Sequence, residues 1–430
     1  MSLLLIFIIL FFLLALSIPI SISIALTSVA PYLLDDTFPA KTTFLIRQMV
    51  GGIDSYPLLA ILLFVLSGVF MAKGGVSQKL FNVFSYFLAN KTGGLPCAVI
   101  LTCLFYGAIS GSGPATTAAV GSMTIPLLLS LGYDLEFCAA LVSVAGGLGV
   151  IIPPSIPFII FGMASNVSVG DLFIAGIIPG ILIGLCLMVY AVFRCSRTGE
   201  DKDKLRAHYD NLHKQGFFSV LKDSFFALLS PVIILGSIYG GITTPTEAAA
   251  ISVLYSLVIS LFIYKTIKLS EIYSIFIEAV KTYTPILFIL AAATAFGRVL
   301  TLMQAPAVIS DFITSTFSGR VSILIVINII LLFVGMVMDT SPAILILTPI
   351  FTPIVEAIGV NPIHFGVIMI VNLAIGYVTP PMGVNLFVGS TLTKVPVVTI
   401  AKNAVPFIIA FIFALVLITF IPEISLLLIN

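Results

Sequence analysis

The sequence predicts an all-α polytopic membrane protein carrying an internal duplication, and three observations lead there. Sixty per cent of its 430 residues are hydrophobic and nine per cent are charged, a balance that belongs to membrane-spanning chains. Apolar runs of about 20 residues, the length that crosses a bilayer as helix, recur from one end to the other. Two of these runs are broken by tandem prolines, Pro153–Pro154 and Pro380–Pro381, that lie 227 residues apart inside matching stretches.

Taken in order, the run 3–28 lacks a basic flank and exceeds the apolar core of a signal peptide, so it reads as a first membrane helix that is retained. Further spans are expected near 43–72, 94–110, 136–152, 171–193, 222–241, 247–264, 274–297, 320–338, 361–378 and 401–421. Between them lie runs too short or too interrupted by Pro and Gly to cross simply, at 114–131, 153–165, 341–358 and 384–393. Amphipathic segments at 76–90 and, more weakly, 303–317 suit a membrane interface.

Charge is distributed unevenly. No Lys or Arg occurs between Lys91 and Arg194, and then seven of the nineteen basic residues crowd into 194–222. By the positive-inside rule this loop is cytoplasmic, and its interleaved acids (Glu200, Asp201, Asp203, Asp210) make it a solvated linker. A net charge of +1 gives no sign of a nucleic-acid partner. The five cysteines form no CxxC and have no His at ligand spacing, so neither a metal site nor a disulfide is expected. There is no HExxH, and no P-loop with which to hydrolyse ATP. Tyr133–Asp134 lacks the second acid that an intramembrane aspartyl protease needs. An enzyme is not expected.

The duplication is the most informative feature. Shifted by 227 residues, "LGYDLEFCAALVSVAGGLGVIIPPSIPFIIFG" (131–162) lies on "IGVNPIHFGVIMIVNLAIGYVTPPMGVNLFVG" (358–389), so that Gly132 meets Gly359, Gly149 meets Gly376 and Gly162 meets Gly389. Pro179 meets Pro406 at the same shift; Pro114 of "SGSGPAT" meets Pro342 of "MDTSPAI" at 228, and Lys91 meets Arg320 at 229. Each copy therefore contains an early Ser/Gly/Pro-rich break and a later tandem-proline break. Paired broken segments at matching positions of two halves mark secondary transporters. The offset by itself leaves parallel and inverted copies open; an odd number of crossings per copy would force inversion, which is the expectation here.

A broken helix exposes carbonyls at one end and N–H groups at the other. Carbonyls and hydroxyls are hard oxygens that suit Na⁺, and helix N-termini suit a carboxylate. Each half is expected to build one cation site between its early break and its tandem-proline loop. For the first site the candidates are Ser110, Ser112, Gly147, Val150 and Pro153. For the second they are Gly335, Asp339, Ser341, Gly376 and Thr379. Asp339 stands out because an acid within an apolar span is costly unless paired or bound to a cation. Thr116, Pro154, Pro381 and Asn385 are expected at the substrate. Arg298 and Arg47 are candidate partners for an anionic substrate, with snorkelling from a span end as the competing role. Glu247 sits where a first-turn acid opposes the helix dipole.

"TPTEAAA" (244–250), "NPIHFGVIMIVNLAIGYVTPPMGVNLFV" (361–388), "GLGVIIPPSIPFIIFG" (147–162) and "GGIDSYPLLAILLFVLSGVFM" (51–71) resemble the large membrane subunit of tripartite ATP-independent periplasmic (TRAP) transporters. Leu62 departs from the family, which usually has proline there. The resemblance implies an inverted-repeat, elevator-type transporter with two re-entrant helical hairpins and two broken helices, divided into scaffold and transport domain. It places N-terminal scaffold helices at 1–59, a first repeat at 60–193 (hairpin near 94–131, broken helix near 136–165) and the charged loop at 194–222. Further scaffold helices follow at 223–288, then a second repeat at 289–415 (hairpin near 320–358, broken helix near 361–393) and a C-terminal end at 416–430. It implies Na⁺-coupled import of an organic acid, sialic acid or a C4-dicarboxylate, across a bacterial inner membrane. The implied partners are a small four-helix membrane subunit and a periplasmic substrate-binding protein. Two rival readings are a stand-alone Na⁺/carboxylate symporter and a passive anion channel.

Overall fold

A computed structural model describes residues 3–429 except Asp36, Gln215 and Ser318. Met1, Ser2 and Asn430, at the extremities of the first and last expected segments, lie outside the described residues. Eight helices among those residues are long and apolar enough to cross a membrane.

The run 3–28 divides into α1 (Leu3–Ala15) and α2 (Ile20–Leu34), because Ser17 turns left-handed and Pro19 caps the second helix. A proline removes an N–H and disfavours helical geometry in the residue before it, so the expected single span cannot form. The run 43–72 divides likewise into α3 (Thr42–Ile53) and α4 (Tyr56–Lys73), with Pro57 in the first turn of the second. The amphipathic segment becomes α5 (Val76–Leu88), burying Val76, Leu80 and Phe81 on one stripe.

The first repeat follows. Helices α6 (Gly94–Ser110) and α7 (Gly113–Ser130) pack as a hairpin. At its tip Gly111 has φ +60°, and a Cβ there would lie 2.8 Å from the Pro154 carbonyl oxygen, so glycine is required. Next, α8 (Leu135–Gly146) tightens into a 3₁₀ turn at Gly147–Val150, stops at the two prolines and resumes as α9 (Ile156–Ser165). The long α10 (Val169–Thr198) closes the repeat.

The charged stretch keeps most of its charged residues exposed, as its composition suggests, but it is a docked helix as well as a linker. After α10 it forms α11 (Lys202–Lys214), whose Leu205 and Leu212 are buried. The His213 ring stacks between Tyr86 of α5 and Tyr209, with centroids at 3.9 and 3.8 Å. Glu200 accepts the Gly93 N–H at 3.0 Å and the Tyr133 hydroxyl, tying the linker to the loops flanking the first hairpin. Two leucines seven residues apart supply an apolar stripe on a helix that is otherwise charged.

Helices α12 (Phe217–Tyr239) and α13 (Pro245–Val258, prolonged by a π-turn at Ile259–Ile263) lead to the 31-residue α14 (Ile272–Leu302). Glu247 is a capping residue. It accepts the Thr244 N–H at 2.8 Å while its own N–H donates to the Thr244 hydroxyl at 3.3 Å. The second repeat then runs through α15 (Ala305–Thr316), the hairpin α16 (Arg320–Val337) and α17 (Thr340–Ala357), and the broken pair α18 (Pro362–Gly376) and α19 (Val384–Thr393). Helices α20 (Val397–Phe420) and α21 (Glu423–Leu426) end it.

Helices α2, α3 and α4 pack against α14, and α13 packs against α4. The Ser67 and Ser252 hydroxyls share a hydrogen bond of 2.6 Å, Tyr283 donates to the Leu58 carbonyl at 3.1 Å, and Lys73 pairs with Glu278 at 2.7 Å. The last pair fixes the C-terminal end of α4 beside the start of α14, on the side where α5 carries the charged linker. From Glu278 to Leu302, α14 travels about 36 Å at 1.5 Å per residue. The first hairpin therefore starts from the linker side and the second from the far end, so the two copies are inverted. Their contacts exchange accordingly. Helix α7 packs on α19 as α17 packs on α9, and α8 packs on α20 as α18 packs on α10.

Candidate functional site

The two hairpin tips meet the two proline breaks near the middle of the molecule. At the first tip, Ser110 ends α6 and its hydroxyl lies 2.8 Å from that of Thr116 on α7. The same hydroxyl reaches the Ser112 carbonyl at 3.4 Å, and the Ser112 hydroxyl caps α7 through the Ala115 N–H at 3.5 Å. The Gly111 carbonyl accepts the Ile156 N–H at 3.3 Å, fastening the tip to the resumed half of the broken helix. Gly149 is forced by this approach, since a Cβ would stand 2.4 Å from the Thr116 hydroxyl and 2.7 Å from the Ser112 carbonyl oxygen. One lone pair of the Val150 carbonyl is taken by the Ser155 hydroxyl at 2.5 Å. Gly147 packs towards Phe411, and Pro153 and Pro154 are buried.

At the second tip, Asp339 is the N-cap of α17 and accepts the Thr340 N–H at 2.7 Å. Thr340 in turn shares a 2.6 Å hydrogen bond with the Tyr377 hydroxyl, which also faces the Asp339 carboxylate. Gly335 and Gly376 are in backbone contact, because a Cβ on Gly376 would lie 2.2 Å from the Gly335 carbonyl oxygen. The Gly376 carbonyl accepts the Thr379 N–H at 3.2 Å, and the Thr379 hydroxyl bonds back to Ile375. Ser341 is buried, whereas Pro380 and Pro381 are exposed.

Sequence reasoning missed Tyr377 and Thr340. Tyr377 joins the two sites: its hydroxyl serves the second tip, and its ring carbons would lie 3.2–3.3 Å from a Cβ on Gly113, the first residue of α7 at the first tip. At a shift of 227 its counterpart is Val150, so a polar aromatic standing in for an aliphatic residue beside the proline pair was the available signal. Thr116 is enclosed by its bond to Ser110. Asn385 is also fully buried, and its side-chain amide donates to the Ser143 carbonyl at 3.0 Å, a strut between the repeats that meets neither cavity described next.

A cavity of about 610 Å³ opens on the linker side between α4, α7 and α14; Ser110, Ser112 and Ile156 lie in its wall, and the Lys73–Glu278 pair lies at its edge. A second cavity, about 500 Å³, lies at the opposite end of α14. Arg298 lines it, and among the described residues Arg298 makes no ion pair or hydrogen bond. Arg47 is exposed on α3 and lines neither cavity. Among the described residues no three His, Cys, Asp or Glu cluster at metal-binding distance. The donors at the tips are hydroxyls, carbonyls and one carboxylate, all hard oxygens fit for an alkali cation.

The family model described as "Tripartite ATP-independent periplasmic transporter, DctM component" matches residues 7–424. The chain belongs to this family. As a TRAP large permease subunit it is a multi-pass membrane transporter component and not an enzyme, and its family is that of a tripartite system. It is 42% identical over 379 residues to the C4-dicarboxylate TRAP transporter large permease protein of Pseudomonas aeruginosa, covering 88% of this chain and 87% of that one. It is 35% identical to the sialic acid TRAP transporter large permease protein of Vibrio cholerae, over 90% of this chain and 89% of that one. It is also 43% identical to the isethionate TRAP transporter permease protein of Oleidesulfovibrio alaskensis, over 87% of this chain; the match spans 58% of that longer protein. Among solved structures it shares its fold with the YdaH transporter of Alcanivorax borkumensis at a TM-score of 0.61 and 14% identity, over 88% of each chain.

Proposed function

We propose that this TRAP subunit carries a small organic acid across the inner membrane together with Na⁺. The acid would be handed over by a periplasmic binding protein, with a small membrane subunit as further partner. The observation that carries this reading is the convergence of both hairpin tips on Tyr377. Ser110, Ser112 and Thr116 on one side, and Asp339 and Thr340 on the other, gather hard oxygens around the two breaks. The charged linker is assigned to the cytoplasm by its basic residues, so the cavity at Ser110 and Ser112 is the inward-facing one. In this reading the hairpins are re-entrant, the repeats move as a transport domain against α2–α4, α13 and α14, and Na⁺ enters as co-transported substrate. Permeases named for C4-dicarboxylates match at 42% and at 35%, one named for isethionate at 43% and one named for sialic acid at 35%, so the acid is read as a carboxylate or sulfonate and identity ranks none of the three.

The test is uptake into proteoliposomes holding this chain and its small subunit. Labelled succinate, isethionate and N-acetylneuraminate are offered with the cognate binding protein. Accumulation of one of them that needs both an inward Na⁺ gradient and the binding protein is the expected result. Movement without the gradient makes the chain a passive anion channel, and accumulation without the binding protein makes it a stand-alone symporter.

A further inference from the structure

The two cavities are images of one another under the duplication, and their chemistry is not the same. At a shift of 229, Val65, Gly68, Val69 and Ala72 of α4 fall on Thr294, Gly297, Arg298 and Thr301 of α14. The first four line the linker-side cavity and the second four line the opposite one. At 227, Ala118 and Ser122 of α7 fall on Leu345 and Pro349 of α17, and these pairs too are divided between the cavities. Residues 278, 282, 286, 290, 294, 297 and 301 form a single stripe of α14 that passes from one cavity to the other. Only the turn between Ile286 and Leu290 separates them along that helix.

Where the linker-side cavity has Val69, the opposite cavity has a guanidinium. Among the described residues Arg298 has no partner, and the side chains of Asn166 and Ser55 in the same wall make no hydrogen bond either. Thr294 and Thr301 donate to their own helix at 2.8 Å, so they leave these three as the free donors. One acid, Asp54, faces the same space and stands against an anion there, though it forms no ion pair with Arg298. In the linker-side cavity the only charged lining residues, Lys73 and Glu278, neutralise each other.

We propose that the cavity at Arg298 is an anion-capture vestibule on the outer side. Arg298, aided by Asn166 and Ser55, receives the carboxylate or sulfonate of the acid before it reaches the hairpin tips. The apolar Val69 at the equivalent inner position lets the acid leave without breaking a charge-assisted contact. Arg298, Asn166 and Asp54 are exposed in this open cleft, and what sets Arg298 apart from a simple snorkelling residue is the row of uncharged counterparts that line the matching cavity of the other copy. This inference rests on the carboxylate-or-sulfonate reading above, and thiol labelling separates the two because it needs no transport.

Thr294→Cys, one turn from Arg298, is labelled with the anionic sulfonatoethyl and the cationic trimethylammonioethyl methanethiosulfonates, against the parent chain and a free thiol as references. The anionic reagent is expected to be favoured several-fold over its free-thiol ratio. Arg298→Gln in the same background should abolish that preference, and Val65→Cys in the inner cavity should show none. An unchanged ratio after Arg298→Gln overturns the proposal whether or not any acid is transported. For whichever acid is taken up, Arg298→Gln should raise KM about tenfold with kcat nearly unchanged, Arg298→Lys should restore part of it, and Asp54→Asn should lower KM. A fall in kcat with KM unchanged would place Arg298 in structure or movement and reject capture.

Discussion

The hairpins α6–α7 and α16–α17 descend from one unit, yet they close their tips with different chemistry. The first uses small hydroxyls: Ser110, Ser112 and Thr116 satisfy one another, and the proline pair beside them is buried. The second uses Asp339 and borrows Tyr377, and its proline pair is exposed. The first tip resembles a neutral, pre-closed socket; the second adds a carboxyl group, held by the Thr340 N–H and facing the Tyr377 hydroxyl. Duplication supplied the scaffold of both, and substitution at single positions divided the labour.

The largest effect that tests this comparison lies at the glycines both copies share. Gly376→Ala would place a Cβ 2.2 Å from the Gly335 carbonyl oxygen, a backbone atom that cannot swing away. A loss of about 3 kcal/mol is expected, at the upper end of ordinary overpacking, read as a fall in Tm of the purified complex. Gly147→Ala is the control, since its nearest neighbour would be a Phe411 ring carbon at 3.4 Å. Equal Tm for the two variants would show that the tips are looser than they look.

Next, Asp339→Asn removes the only carboxylate at either tip. Half-maximal activation by Na⁺ should then require at least tenfold more Na⁺, about 1.4 kcal/mol, while Ser110→Ala shifts it less. If both variants keep the parent Na⁺ dependence, the tips are not the coupling sites. Tyr377→Phe is milder and deletes the hydroxyl's contacts with Thr340 and with the Asp339 carboxylate. It should cost about 1 kcal/mol in stability and move Na⁺ activation in the direction of Asp339→Asn. A normal Na⁺ response with lowered Tm would make Tyr377 purely structural. The smallest effect concerns the linker, which is held through Gly93, Tyr133 and α5 beside the first hairpin. Glu200→Gln weakens a half-exposed contact with Gly93 and Tyr133, by about 0.5 kcal/mol. Faster trypsin cleavage at Lys202 and Lys204 is the readout, and unchanged cleavage would mean that His213 and the two leucines hold α11 by themselves.

Much of this arrangement was legible in the sequence because prolines and glycines act locally. Pro153–Pro154 and Pro380–Pro381 stop helices wherever they stand, and the breaks found at Val150–Ile156 and Gly376–Val384 follow from that. The same local rule was underused at Pro19 and Pro57, where hydropathy suggested single spans and the chain makes two helices. The docking of α11 escaped notice because two leucines are a faint signal within so many charges.

The sequence by itself determined the helical membrane class, the duplication, the four breaks and the family, since each depends on composition or on residues near in the chain. Only the tertiary structure decided that Tyr377 serves both tips, that Asn385 braces Ser143, and that Arg298 faces a cavity matching the one at Val69. Those facts depend on which faces meet after two inverted copies pack together. Spacing along a chain fixes a residue's own helix face, but not the face that another helix, some two hundred residues away, will present to it.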